Sequence, residues 1–482
     1  MEQNANLQRK LGLWATVSIV AGSVIGSSIF MKPSVMAQQL QSPVLLLLVW
    51  VFAGIVSFMG AMINAEIGAM LPVTGGQYVF FKKMYGNAFA FLYGWAAFAV
   101  INTASVAAIA YVFAQYTEYF VHLPRLPAAT EHSLRLTIPY VGHVFPLENI
   151  GVKLLAVAVI LFLTAANYLS VKFGSSLQVF FSIIKVAALL FLVTVIFFSS
   201  KGAAQHLITP MKDIAKNSWQ TVLGFIAAIS GAFAAYDGWN NIGFVAGEIK
   251  NPSKNIPRGL FIGLGICVVL YVLTNEAYLY MLPIDKVATS SLLATDAVTP
   301  VLGAAGAGLI AAMVMISTFG ATNGNILACA RVTFSMGAAK EFFTWTGKVH
   351  PQYKTPGNAL WLHALWTCLF VFSGSFDMLT DLFVFVTWIF YGFAAFGIFI
   401  LRKKMPDAER PYKIWGYPWL PVFFVLFTAF YVVVTIYNDI TNYAEGRVTV
   451  INSVLGLLIT FAGLPLYWLF NAFNKKQVLK NG

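Results

Sequence analysis

Lys185 stands 11 residues into a run, 174–200, that carries no other charge. At 1.5 Å per residue it would lie about 16 Å along a helix. A cation at that depth of a bilayer costs at least about 2.5–3.5 kcal/mol unless it is paired or solvated. Such a cation can do for free backbone carbonyls what a bound Na⁺ would do. Asp237 interrupts a second apolar run, in Phe233-Ala234-Ala235-Tyr236-Asp237-Gly238-Trp239-Asn240-Asn241. It lies similarly deep, where its carboxylate could serve a ligand or cap unwound backbone. The remaining ionisable residues read more plainly. Glu66 and Glu276 fall near the ends of their runs and are expected at the interface, and His363 is expected to be a satisfied core histidine. Cys267, Cys329 and Cys368 all lie in apolar runs, so they read as small buried hydrophobes and build no disulfide framework. No cofactor and no metal-ligand set is expected.

A second pattern surrounds these charges. Val20-Ala21-Gly22-Ser23-Val24-Ile25-Gly26-Ser27-Ser28-Ile29-Phe30 gathers small residues at the middle of the first run, and in the sixth a carboxylate, a glycine and two asparagines interrupt the apolar run near its middle. Small residues in one membrane helix usually mean close packing. Interruptions at corresponding positions in two blocks of five helices point to a transport site. Unwinding leaves orphan N–H groups on one half-helix and orphan carbonyls on the other. A zwitterion needs both, its carboxylate taking N–H groups at a helix N-terminus and its ammonium taking carbonyls. Two broken helices therefore suit the backbone of an amino acid.

The elements that must position these residues follow from composition. The chain has 482 residues, 59% hydrophobic and 10% charged, with a mean hydropathy of +0.76. A soluble protein would carry about 25% charged residues, so most of the outer surface must meet lipid. Twelve apolar runs reach or approach bilayer length: 11–30, 43–65, 88–117, 154–171, 174–200, 217–247, 259–283, 297–330, 357–376, 378–401, 414–438 and 448–474. Each should be helical, because lipid leaves no backbone group unpaired. The runs are continuous and not alternating, which excludes a β-barrel. The first run is too long for a signal peptide, and Lys32-Pro33 is no small-residue cleavage site. No segment is long and polar enough for a separate soluble domain; the largest loop is 122–150.

The net charge of +12 orients the chain and requires no nucleic acid. Twelve spans put both termini on one side. Twenty of the thirty Lys and Arg residues fall on that side and nine on the other, Lys32 and Lys153 among them, with Lys185 between. By the positive-inside rule both termini are expected in the cytoplasm.

These residues resemble the amino acid–polyamine–organocation superfamily, in particular its L-type amino acid transporter branch and the bacterial serine/threonine exchangers. Gly26-Ser27-Ser28-Ile29-Phe30 is similar to the family's first-helix break. Ala65-Glu66-Ile67-Gly68 with Leu71-Pro72-Val73-Thr74-Gly75-Gly76-Gln77-Tyr78 resembles the end of helix two and its re-entrant loop. Tyr236-Asp237-Gly238-Trp239-Asn240 with Glu248-Ile249-Lys250-Asn251-Pro252 resembles helix six and the loop after it. Phe319-Gly320-Ala321-Thr322-Asn323-Gly324 resembles helix eight, and Arg410-Pro411-Tyr412 the approach to helix eleven. The resemblance covers nearly the whole chain.

It implies an all-α integral membrane protein in one transmembrane domain, 1–482, with a LeuT-like inverted five-plus-five repeat. The first repeat would be 1–200, the inverted second 217–401, and 410–474 two additional helices. It implies that the substrate carboxylate meets the backbone at Gly26, Ser27 and Ser28. The ammonium would meet carbonyls near Val24 and from Ala234 and Ala235 through Tyr236 to Asp237, with Asn240 in the pocket. Lys185 would occupy the place of a sodium ion and tie the first helix to the eighth near Ser317 and Thr318. Two departures stand out. Ser28 replaces the second glycine of the break. Ala234 replaces the gating aromatic, with Phe233 one residue earlier, so the gate is displaced or the pocket larger. Loop 122–150 lacks the cysteine by which animal members hold a glycoprotein subunit. No such partner is expected, which favours a bacterial membrane.

The function this implies is sodium-independent exchange of neutral L-amino acids by alternating access. A proton symporter using Glu66 or Asp237 would keep the fold and change the coupling. From other classes, a membrane enzyme lacks its constellation here, with no His-Glu-x-x-His, nucleophile elbow or paired carboxylates. A channel lacks its charge rings or repeated carbonyl filter.

Overall fold

The computed structural model of the chain describes residues 9–72, 75–169, 171–211, 218–470 and 472, with the side chains of 171–182 and Phe244 outside that description. Also outside it lie Val73 and Thr74 of the helix-two motif and, from the charge tally, the side chains of Lys172, Lys212, Lys216, Lys475, Lys476 and Lys480.

Among the described residues each of the twelve apolar runs is mainly helical. The first is a broken pair, α1 (Leu13–Val24) and α2 (Ser28–Leu40), bent by 43°. Next come α3 (Pro43–Met70), the short α4 (Gly76–Tyr85), and α5 (Asn87–Ala96) running through a π-helical turn (Ala97–Ile101) into α6 (Asn102–Thr117). After a loop holding α7 (Ala128–Glu131) come α8 (Ile150–Leu169), α9 (Val171–Phe197) and α10 (Ser218–Tyr236). The second half is α11 (Pro252–Met281), the short α12 (Ile284–Thr289), α13 (Leu293–Ala338), α14 (Gly357–Ser373), α15 (Phe376–Lys404), α16 (Trp419–Ala444) and α17 (Asn452–Phe461). Among the described residues nine helices are long and apolar enough to cross a bilayer, and the bent α1–α2 pair makes a tenth. Two shorter apolar helices, Ile183–Phe197 within α9 and α14 itself, occupy the fifth and ninth runs. The chain is a multi-pass membrane protein.

The packing sorts helices by depth. The span through α5 and α6 and the span of α15 are mostly buried inside the protein, whereas α16 and α17 are mostly exposed. The broken helices sit between these layers, α1 against α11 and α2 against α10, while α13 packs on both α6 and α9. Leu48, Ile55, Phe162, Val269, Leu365 and Val433 remain outside, as a lipid-facing surface requires. At 46 residues α13 exceeds any bilayer, and it bends at Gly303, whose φ is +65°. The loop 122–150 holds more order than its sequence suggests. Strands β1 (Leu136–Ile138) and β2 (Gly142–Val144) pair antiparallel, and His143 N–H donates to Thr449 O at 2.7 Å.

Two sequence expectations need correction. Lys32 does not lie in a loop after a first span ending at residue 30. The helix continues to Leu40, and Lys32 is 1% exposed within it, 2.9 Å from both Asp377 and Asp381 of α15. The two carboxylates neutralise the charge that seemed to end the run. Glu66 is not at the end of its helix or in contact with solvent. Helix α3 runs to Met70, and Glu66, 2% exposed, accepts from Arg402 Nε and Nη2 at 2.9 and 2.8 Å and from Ile414 N–H at 2.7 Å.

Candidate substrate site

Helix α1 ends where Ile25 turns extended, with ψ at 98°, and α2 starts afresh at Ser28 with no side chain capping its N–H groups. The N–H groups around Gly26, Ser27 and Ser28 are thus the orphan donors of a new N-terminus. A Cβ on Gly26 would meet nothing nearer than Val24 O at 3.8 Å, so this backbone lies open to the cavity beside it. In the sixth run, α10 stops at Tyr236, Gly238 takes φ +106°, and the chain continues as a 3-10 turn, Trp239–Phe244. The two breaks touch. A Cβ on Gly238 would come within 2.6 Å of Ser23 O, so glycine is required there for both φ and space.

Three side chains secure this junction. Lys185 is 2% exposed, and its Nζ donates to Gly22 O at 3.2 Å, placing a cation on the C-terminal carbonyls of α1. The Tyr271 hydroxyl donates to Val24 O at 3.0 Å, taking one lone pair of that carbonyl and leaving one. Tyr391 donates its hydroxyl to Asp237 Oδ1 at 2.6 Å. A backbone clasp adds to them: Lys10 and Leu11 N–H donate to Glu248 O at 2.9 and 3.0 Å, and Lys250 N–H to Leu11 O at 2.8 Å.

A cavity of about 410 Å³ lies against the two breaks. It runs from Leu11, Glu248 and Arg331 at the face carrying the N-terminal segment to Phe376 and Thr380 of α15 deep inside. Beyond that inner end Lys32 closes the way, its Nζ 5.5 Å from the Phe376 ring centroid and paired with Asp377 and Asp381. The cavity is therefore closed at one face and approached from the other.

The cavity lies against two unwound helices in a bundle of apolar helices, and the profile of the "Amino acid permease" family matches residues 11–471 of this chain. The chain belongs to that family. This permease is 28% identical over 469 residues to the serine/threonine exchanger SteT of Bacillus subtilis (strain 168), covering 97% of this chain and 98% of that one. It is 30% identical over 470 residues to the human large neutral amino acids transporter small subunit 2, covering 96% and 80%. To the human cystine/glutamate transporter it is 28% identical over 479 residues, covering 98% and 88%. It is a transporter and not an enzyme.

Of the residues singled out in the sequence, Val24, Gly26, Ser27, Ser28, Lys185, Ala234 and Asp237 of the permease all line the main cavity. Asn240 lines a smaller one beside it. The others lie elsewhere. Phe233 faces away and stacks on Trp388 at 3.5 Å between ring centroids, because α15 and α16 offer it an aromatic slot with Tyr431. Ala235 is buried, and the Tyr236 hydroxyl donates to Trp50 O at 3.1 Å. Ser317 and Thr318 are fully buried outside the lining; Thr318 donates to Val314 O and Met315 O, and Ser317 Oγ has no partner among the described residues. Lys185 thus reaches α1 and makes no hydrogen bond to either of them.

Sequence reasoning missed Ser105, Asn325, Arg331, Phe376, Thr380 and Phe383, which also line the cavity. Polar residues in otherwise apolar runs were the available signal for Ser105 and Asn325. Phe376 and Phe383 supply aromatic cover from α15, where the sequence pointed to α10.

Proposed function

We propose that the permease exchanges neutral L-amino acids across a bacterial cytoplasmic membrane, independently of sodium, by alternating access. The observation that carries this reading is the junction of the two breaks at Ser23 and Gly238, with Lys185 on Gly22 O. The N-terminus of α2 offers N–H donors to a carboxylate, and the ends of α1 and α10 offer carbonyl acceptors to an ammonium. The Lys185 ammonium supplies a fixed positive charge where a coupling cation would otherwise be needed, which favours sodium independence. The zwitterion gives the site its ligand, and the relatives named for serine and threonine and for large neutral amino acids agree with the class. The five-plus-five repeat fits the recurrence of a break in α1–α2 and after α10. The excess of Lys and Arg at the face shared by the termini favours a cytoplasmic setting for that face, and on this reading the cavity opens inward. Loop 122–150 has no cysteine, in keeping with a permease that works without a disulfide-linked glycoprotein.

For proton symport Asp237 is the better placed of the two candidates, since Glu66 lies outside the cavity lining and is engaged by Arg402 and by Ile414 N–H. Purified protein in liposomes separates the readings. Uptake of labelled alanine should require internal amino acid, ignore Na⁺ and pH gradients, and fall to background in Lys185→Met. Uptake into empty vesicles driven by an inward proton gradient would overturn exchange in favour of symport through Asp237.

A further inference from the structure

Beside the main cavity lies a second of about 40 Å³, lined by Gln77, Tyr93, Asn102, Asn240, Cys329 and Thr387. It shares Ser105, Asp237, Asn241, Asn325 and Ala328 with the larger one, so the two meet along common walls. Its most telling member is Gln77, at the start of α4. Gln77 is 3% exposed, and neither Oε1 nor Nε2 has a hydrogen-bond partner among the described residues. A buried carboxamide with both ends unpaired is costly and calls for a ligand or water.

A second observation aims at the same place. Helix α5 passes into α6 through the π-helical turn Ala97–Ile101, and Asn102 comes directly after it. Such a turn carries an extra residue, rotates the face of everything after it, and is frequent at functional sites. The Thr103 hydroxyl donates to Phe98 O at 3.1 Å and to Val100 O at 3.4 Å, taking up carbonyls within the widened turn. Asn325 uses its Nδ2 on Ala321 O at 3.0 Å, which keeps its Oδ1 as an acceptor.

We infer that this side cavity receives the substrate's side chain, and that preferred substrates carry a short uncharged hydrogen-bonding group, a carboxamide above all or a hydroxyl. The inference rests on the amino acid exchange proposed above and adds the side-chain class. Gln77 with four asparagines, Asn102, Asn240, Asn241 and Asn325, offers donors and acceptors together, the complement of a group that has both. A hydrocarbon side chain leaves Gln77 unpaired, and sites built for hydrogen bonds reject such analogues strongly. A carboxylate side chain would face Asp237. The volume, room for roughly three waters, matches the three heavy atoms of a carboxamide and not a branched or aromatic chain.

The test is counterflow in proteoliposomes loaded with alanine, with labelled asparagine, aspartate, leucine and alanine outside. Asparagine should show a kcat/KM at least about tenfold above leucine, with aspartate below leucine. In Gln77→Leu the asparagine-to-alanine ratio should fall about tenfold, and Gln77→Asn should restore part of it. An equal effect on asparagine and alanine, or a wild-type preference for leucine, overturns the inference while leaving exchange intact. Exchange of no amino acid overturns both. A measurement on the wild type alone guards against a misfolded variant. In detergent, asparagine should raise the thermal midpoint more than leucine or aspartate at equal concentration, and equal shifts overturn the subsite.

Discussion

Gly26 and Gly238 occupy corresponding places in the two breaks, and their surroundings assign them opposite tasks. Gly238 has φ +106° and sits against Ser23 O, so a methyl group there meets both backbone strain and a carbonyl at 2.6 Å. The left-handed conformation alone costs about 1–2 kcal/mol for an L-residue. Gly238→Ala should therefore lower the thermal midpoint in detergent and abolish exchange. Gly26 has open space beside it and a cavity in front. Gly26→Ala should leave the thermal midpoint within error and raise KM about tenfold or more; an equal loss of stability in the two variants would contradict this division. Both glycines were legible in the sequence, Gly26 in a cluster of small residues amid Val and Ile and Gly238 beside a carboxylate and two asparagines that interrupt an apolar run. Where Phe233 goes was not, since Trp388, its stacking partner, lies more than 150 positions along the chain.

At the level of elements, hydropathy located all twelve helical runs but misplaced several ends. Charge was taken as the limit of a span, and Lys32 and Glu66 show why that fails. Each is buried in a helix and neutralised by a residue more than 300 positions away. A local reading cannot see such a partner. The Ala97–Ile101 turn was equally invisible, as nothing in Ala-Phe-Ala-Val-Ile distinguishes it from an ordinary helix. The Lys32 pairing joins α2 to α15 across the closed end of the cavity, and it invites a direct trial. Lys32→Met should weaken that closure by about 1–3 kcal/mol, less than a fully buried pair because Asp377 and Asp381 are 42% and 39% exposed. Exchange should slow severalfold with little change in substrate affinity. Asp381→Asn, which keeps the Asp377 partner, should be milder; a variant pair with unchanged rates would dismiss the latch.

For the whole molecule, the cavity is closed toward Asp377 and approached past Glu248 and Arg331. This polarity is open to chemical mapping. In a background lacking Cys267, Cys329 and Cys368, an impermeant thiol reagent should label Arg331→Cys only from the face that carries the termini. Thr380→Cys, at the inner end, should react from that same face and not from the other. Labelling of Thr380→Cys from the opposite face would mean that the Lys32 closure does not seal.

The clasp between Lys10, Leu11, Glu248 and Lys250 carries a mechanical consequence. It ties the free tip of α1 to the segment after the 3-10 turn, while Ser23 and Gly238 touch at the other end. In terms of linkages, two arms fastened at their tips and abutting at their pivots are one plate and not two levers. A plate turns about a single axis. Both arms must then swing together when this face shuts, so neither break can open without the other, and a leak through one of them alone has no motion to produce it.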